Sequence, residues 1–175
     1  MPQKGLIIVN TGNGKGKTTA ALGLAFRMLG HKNKKVAIVQ FIKGSWKYGE
    51  LESAKRFSNT LEIQVMGRGF TYKSEDFSKD VAVAKEAWQR AKDVILVNEH
   101  AMVILDELTY LITLNMIPED EIIETLMNKP AQMHVVITGR GATEKLIDIA
   151  DLVTEMKEIK HPYKSGIKAQ RGVEF

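Results

Sequence analysis

Cysteine is absent from the 175-residue chain. Structural disulfides, zinc–thiolate centres and cysteine nucleophiles are therefore excluded. No uninterrupted apolar run approaches the roughly 18–20 residues that a membrane span needs. The first apolar run begins at Leu6, which leaves no room ahead of it for a signal peptide; a cytoplasmic protein with no membrane partner is expected. Charge of one sign is only slightly in excess, at a formal +4. That balance suits a small anionic substrate and gives no basic stripe of the kind that tracks nucleic acid. The one dense run of cations, His31-Lys32-Asn33-Lys34-Lys35, reads as a solvated loop. No linker, repeat or low-complexity tract divides the chain, and its length suffices for one domain, residues 1–175, with a full core.

What the chain does have is alternation. Apolar runs at Leu6–Val9, Val36–Phe41, Leu61–Met66, Met102–Leu105, His134–Ile137 and Leu152–Met156 read as strands. Between them, helical spacing predicts helices over Thr18–Leu29, Leu51–Phe57, Phe77–Asn98, Leu108–Leu114, Glu119–Asn128 and Thr143–Ala150. In the first, Ala21, Leu22, Leu24, Ala25, Met28 and Leu29 form the buried side. In the longest, Val81, Ala84, Trp88, Ala91 and Ile95 recur on one face. Strand and helix in turn predict an α/β fold, a P-loop NTPase-like doubly wound, mostly parallel sheet of about six strands flanked by helices. The last residues, Lys157–Phe175, are expected to be mostly irregular.

In such sheets ligands sit beyond the carboxyl ends of the strands, and the polar clusters of this chain fall there. After the first strand comes Asn10-Thr11-Gly12-Asn13-Gly14-Lys15-Gly16-Lys17-Thr18-Thr19. This is a phosphate-binding loop: glycines let backbone N–H groups turn around a polyphosphate, and the helix adds its positive N-terminal end. Lys17 supplies a charge, and Thr18 can offer a hydroxyl to a bound Mg²⁺. Thr11 stands where the usual pattern has its first glycine, so Gly12 and Gly14 supply the backbone freedom instead.

Val103-Ile104-Leu105-Asp106-Glu107 is an apolar strand ending in two acids, which can hold Mg²⁺ beside Thr18. Thr138-Gly139-Arg140-Gly141 offers a guanidinium to a phosphate or carboxylate, or is a tight turn with an exposed arginine. Gly67-Arg68-Gly69-Phe70-Thr71-Tyr72 places two aromatics on a glycine-rich loop, either as a flat surface for a planar ligand or as anchors to the core. His100, His134 and His161 have no metal-ligand spacing and read as structural or exposed.

These segments share one order with a known family. T-G-N-G-K-G-K-T-T-A-A, V-Q-F-I-K-G, M-G-R-G-F-T-Y, L-D-E-L-T-Y, I-T-G-R-G and K-A-Q-R-G-V-E-F together resemble the ATP:corrinoid adenosyltransferases of the enteric cobalamin-biosynthesis type, over nearly the whole chain. The resemblance implies transfer of the 5′-deoxyadenosyl group of ATP to Co(I) of a corrinoid, either cobalamin or cobyrinic acid a,c-diamide, with release of triphosphate. It implies ATP bound in the opposite sense to ordinary phosphate-loop enzymes, so that C5′ is exposed. ATP would lie on Gly12, Asn13, Gly14, Lys15, Gly16, Lys17, Thr18, Thr19 and Arg140. Mg²⁺ (or Mn²⁺) would lie on Thr18, Glu107 and Asp106.

Lys17, Phe70 and Tyr72 would be the catalytic residues, the two aromatics displacing the lower axial ligand of the corrinoid to ease reduction of Co(II). Phe70 matches the family's phenylalanine, whereas Tyr72 stands where enteric members carry tryptophan. A reduced flavoprotein donor and a homodimer are implied as well. Enteric members also carry an N-terminal extension over the corrinoid, so a more open site, or one covered by a partner subunit, is expected here. Two other readings use the same loop: a small nucleoside or metabolite kinase with Glu107 as base, and an ATP-dependent switch or nucleic-acid motor.

Overall fold

The computed structural model describes residues 4–44, 48–69 and 77–174. Six strands form one sheet: β1 (Ile7–Thr11), β2 (Val36–Gln40), β3 (Leu61–Val65), β4 (Met102–Asp106), β5 (His134–Thr138) and β6 (Leu152–Glu155). Their spatial order is β3-β2-β4-β5-β1-β6, and every pairing is parallel. The helices are α1 (Lys17–Leu29), α2 (Gly49–Ala54), α3 (Phe77–Val97), α4 (Thr109–Thr113), α5 (Glu119–Met127) and α6 (Glu144–Ile149). The α/β, doubly wound reading holds, and all strands being parallel sharpens it.

Alternation within the strands decides the layers. Ile7 and Val9, Ala37 and Val39, Val103 and Leu105, and Val135 and Ile137 face one core, shared with Trp88, Leu111, Ile122 and Leu146. Ile8, Val36, Ile38, Met102, Ile104 and Val136 face the other, packed against Ala21 and Ala25 of α1. Both faces of the central strands are therefore covered, which is why those strands read as unbroken apolar runs. Trp88 is fully buried and its Nε1–H donates to Glu121 Oε1 at 2.8 Å, tying α3 to α5. At the sheet's edge, all four residues of β6 are exposed.

Element ends moved by a residue or two at most of these boundaries. The expected Leu51–Phe57 helix begins earlier and divides into α2 and a 3₁₀ turn at Lys55–Phe57. The tail is irregular apart from a 3₁₀ turn at Pro162–Ser165. Because every strand runs the same way, the segments that follow β1, β2, β4 and β5 share one rim.

Candidate active site

β1 delivers the chain to the phosphate loop through Thr11, and two glycines reverse it. Gly12 has φ 96° and Gly16 φ 108°, values that L side chains rarely adopt. A Cβ on Gly12 would also stand 2.5 Å from the Met156 carbonyl oxygen. α1 then starts at Lys17 with no side-chain cap and no acid in its first turn. Its leading N–H groups, which have no intrahelical carbonyl, are left with their positive end toward the rim. One loop donor is already used: the Gly14 N–H donates to Met156 O at 2.6 Å. The chain leaving β6 thus braces the loop from outside.

Lys17 is buried and folds back over the loop. Its Nζ donates to Gly12 O at 2.8 Å and Gly14 O at 2.7 Å. Burial pulls its ammonium below the ordinary lysine range, and the Glu107 carboxylate opposes that shift. Asn13, Lys15 and Thr19 are exposed, and Lys15 pairs with Glu174 at 3.0 Å.

Asp106 ends β4 at 1% exposure. Its Oδ1 accepts the hydroxyls of Thr18 at 2.8 Å and Thr138 at 2.7 Å. Its Oδ2 accepts the Gln40 amide at 3.2 Å and faces the Lys43 ammonium at 3.7 Å. Such an acid is positioned from every side. Glu107, the next residue, has φ 64°, a left-handed conformation that a glutamate reaches at some cost. Its backbone N–H donates to Thr138 Oγ1 at 2.9 Å, and its Oε2 is buried with no hydrogen-bond partner among the described residues. Burial, then the charge of Asp106, raises its carboxyl from 4.5 to about 6.

Thr18 meets Asp106 directly, and Glu107 follows Asp106 at the end of β4. All three offer oxygen, the donor that a hard divalent cation prefers. The orphaned Glu107 oxygen, held at the loop's edge, fits such an ion. Among the described residues no cluster of three or more His, Cys, Asp or Glu could hold a metal, so an ion here would need further ligands from a phosphate or water.

Arg140 is exposed. With Asn13, Glu155, Lys157, Glu158 and Lys164 it lines a cleft of about 490 Å³ beside the loop. Its carbonyl accepts the Thr109 hydroxyl at 2.7 Å, which fixes the turn from which the exposed guanidinium extends. Phe70 and Tyr72 lie outside the described residues. Two histidines accept backbone hydrogen bonds: His134 Nδ1 from the Leu6 N–H, and His161 Nδ1 from the Tyr163 N–H. His100 precedes β4, at the opposite end of the sheet from the rim.

Sequence reasoning put the segments Gln40–Tyr48 and Thr138–Gly141 on the ligand rim but assigned no role to four participants. Gln40, Lys43 and Thr138 all reach Asp106, and Met156 braces the loop. The first three close or follow strands that run parallel to β4, and Gln40 is paired with Asp106 in register. Strand-end polar residues next to an acidic strand end are the signal that could have found them. Met156 carries no such signal, because it acts through its backbone.

The family model for ATP:corrinoid adenosyltransferase BtuR/CobO/CobP matches residues 3–175. A corrinoid adenosyltransferase from Sinorhizobium is 49% identical over 99% of this chain and 81% of its own length. Corrinoid adenosyltransferase CobA from Salmonella typhimurium is 43% identical over 99% of this chain and 87% of its own length. The flagellar accessory protein FlaH from Methanocaldococcus jannaschii superposes with a TM-score of 0.52 over 89% of this chain and 72% of that one; at 15% identity it speaks to the fold alone. The chain belongs to the ATP:corrinoid adenosyltransferase family.

Proposed function

We propose that the protein transfers the 5′-deoxyadenosyl group of ATP to Co(I) of a corrinoid, acting as one domain. The electron pair of Co(I) forms the Co–C5′ bond, the C5′–O bond breaks, and its pair leaves with triphosphate. The observation that carries this reading is family membership along the whole chain, together with a glycine loop, helix N-terminus and acid pair meeting on one rim. Co(I) is itself the nucleophile, so no catalytic serine, cysteine or base is called for. The protein's work is to place C5′ and to stabilise the departing charge.

In that work the loop from Gly12 to Thr19 cradles the phosphates. Lys17 holds charge against the leaving group, exchanging its bonds to Gly12 and Gly14 for phosphate oxygens. Arg140 reaches ligand from the cleft. Thr18 and Glu107 would hold Mg²⁺ or Mn²⁺, with Asp106 orienting Thr18, and such an ion would supply positive charge to the triphosphate. Phe70 and Tyr72 are assigned to the corrinoid. A tyrosine in the second position keeps a flat apolar face and adds a hydroxyl that a wet ligand tolerates.

A reduced flavoprotein donor, a homodimer and a cytoplasmic location belong to the same proposal. No described helix is long and apolar enough to cross a membrane. Cobalamin and cobyrinic acid a,c-diamide are both candidate acceptors. The kinase reading is not favoured, since the named relatives are adenosyltransferases.

The test is an anaerobic assay with ATP, Mg²⁺ and chemically reduced cobalamin. Loss of the Co(I) spectrum, a light-sensitive Co–C product and stoichiometric triphosphate are expected. ADP formation without cobalt alkylation would refute the reading.

A further inference from the structure

Lys43 follows β2 on the rim that carries the candidate site. Its Nζ lies 2.5 Å from Glu50 Oε1 and 3.7 Å from Asp106 Oδ2, and 4.6 Å from the centre of the Tyr48 ring. Its side chain is 20% exposed and that of Asp106 1%. The two oxygens of Asp106 are not equivalent. Oδ1 is filled by the hydroxyls of Thr18 and Thr138. Among the described residues Oδ2 receives only the longer Gln40 bond, so it is the Asp106 oxygen that a divalent cation could take. Lys43 stands over it.

Glu50 keeps it there. Burial pushes the Glu50 carboxyl up, but the hydrogen bond and charge of Lys43, together with hydrogen bonds from its own backbone and from Gln40, hold it below the usual range. A half-buried lysine so paired, with an aromatic face beside it, is not a freely swinging surface cation.

We propose that Lys43 is a positioning residue: locked by Glu50, it covers Asp106 Oδ2 and keeps that carboxylate out of the inner coordination sphere of the divalent cation. Asp106 then serves Thr18 alone, and Glu107, with its buried unpartnered oxygen, is the carboxylate that meets the ion. The inference rests on the reading of this rim as a metal–ATP site. If Asp106 turned to the ion, Thr18 would lose the acceptor that orients its hydroxyl. One acid therefore has to be shielded for the other two ligands to keep their roles.

The test uses Mn²⁺ as the probe, titrated by electron paramagnetic resonance into the corrinoid-free protein with ATP present. Lys43→Met is expected to bind Mn²⁺ about tenfold more tightly, because one positive charge is gone and an anionic oxygen is open. It is also expected to adenosylate at least tenfold more slowly, because Thr18 is no longer oriented. Lys43→Arg should restore both values toward wild type. Asp106→Asn in the Lys43→Met background should abolish the tightening.

Glu50→Gln, which frees the lysine without deleting its charge, should shift Mn²⁺ affinity in the same direction by less, and covers the case in which Lys43→Met fails to fold. Unchanged or weaker Mn²⁺ binding in folded Lys43→Met overturns the assignment. So does a loss of ATP affinity measured without metal, which would make Lys43 a phosphate ligand. A wild-type protein that binds Mn²⁺ and ATP but forms no Co–C bond would sink the adenosyltransferase reading and leave the Mn²⁺ result, which needs no corrinoid, to decide Lys43.

Discussion

Glu107 is held at a cost in the unliganded protein, and the cost is measurable. Its carboxyl is raised from 4.5 to about 6, by burial first and by Asp106 second. Holding the carboxyl that far up corresponds to roughly 2 kcal/mol. The folded value lies above the unfolded one. Below about pH 4.5 both states are protonated and the group contributes nothing. Between about 4.5 and 6 the unfolded chain ionises first, so the folded state loses stability as pH rises; above that the loss is constant.

Glu107→Gln removes the titration and leaves φ 64° unrelieved. The variant should therefore unfold with up to about 2 kcal/mol more free energy at pH 7.5, and the gap should close toward pH 4. Urea denaturation at the two pH values reads this directly. In the presence of ATP and Mg²⁺ the order should reverse, since wild type gains stability from an ion on Glu107 and the variant gains less. A variant equal to or weaker than wild type at pH 7.5 without ligand would show that the carboxylate is already compensated, and the assignment of its orphaned oxygen to a cation would fall with it.

The fold was legible because its physics is local and repeated. Runs such as Val103–Leu105 and Val135–Ile137 are apolar at every position, and strands of that kind need cover on both faces. Helical spacing in Phe77–Val97 gave the buried face of Ala84, Trp88, Ala91 and Ile95. Boundaries slipped where the chain changes from one regular form to another, as at the 3₁₀ turn Lys55–Phe57.

The site was half legible. The glycine loop and the two acids show themselves because their chemistry demands particular residues at adjacent positions. Apart from Thr18 on α1, the partners of Asp106 do not. Gln40 closes β2, Lys43 follows it and Thr138 closes β5, and strand order, unlike strand existence, is written in no short window of sequence. Nor could the sequence say that both oxygens of Asp106 accept hydrogen bonds while, among the described residues, one oxygen of Glu107 has none. That difference depends on φ at Glu107 and on which neighbours the fold brings to Asp106.

Three further outcomes are expected. Lys17→Ala should lower adenosylation at saturating ATP by at least about a hundredfold, because the leaving triphosphate loses its fixed charge; near-normal turnover would refute the role. Phe70→Ala should slow the reaction from Co(II) far more than from chemically prepared Co(I), and equal losses would assign Phe70 to loop packing. Gly139→Ala tests the frame around the acids. Gly139 has φ 140°, and a Cβ there would meet Thr109 Oγ1 at 2.0 Å. Strain and overlap together should cost about 3 kcal/mol, read as a lower melting temperature. The damage should reach the site, because the preceding residue, Thr138, bonds both Asp106 and the Glu107 N–H. Adding Thr109→Ala removes the nearest clash but not the backbone cost, so the double variant should recover only part of the loss. Full recovery would mean that the left-handed turn costs an alanine nothing; no loss in the single variant would mean that the turn can move away from Thr109, and that the acids are not held by it.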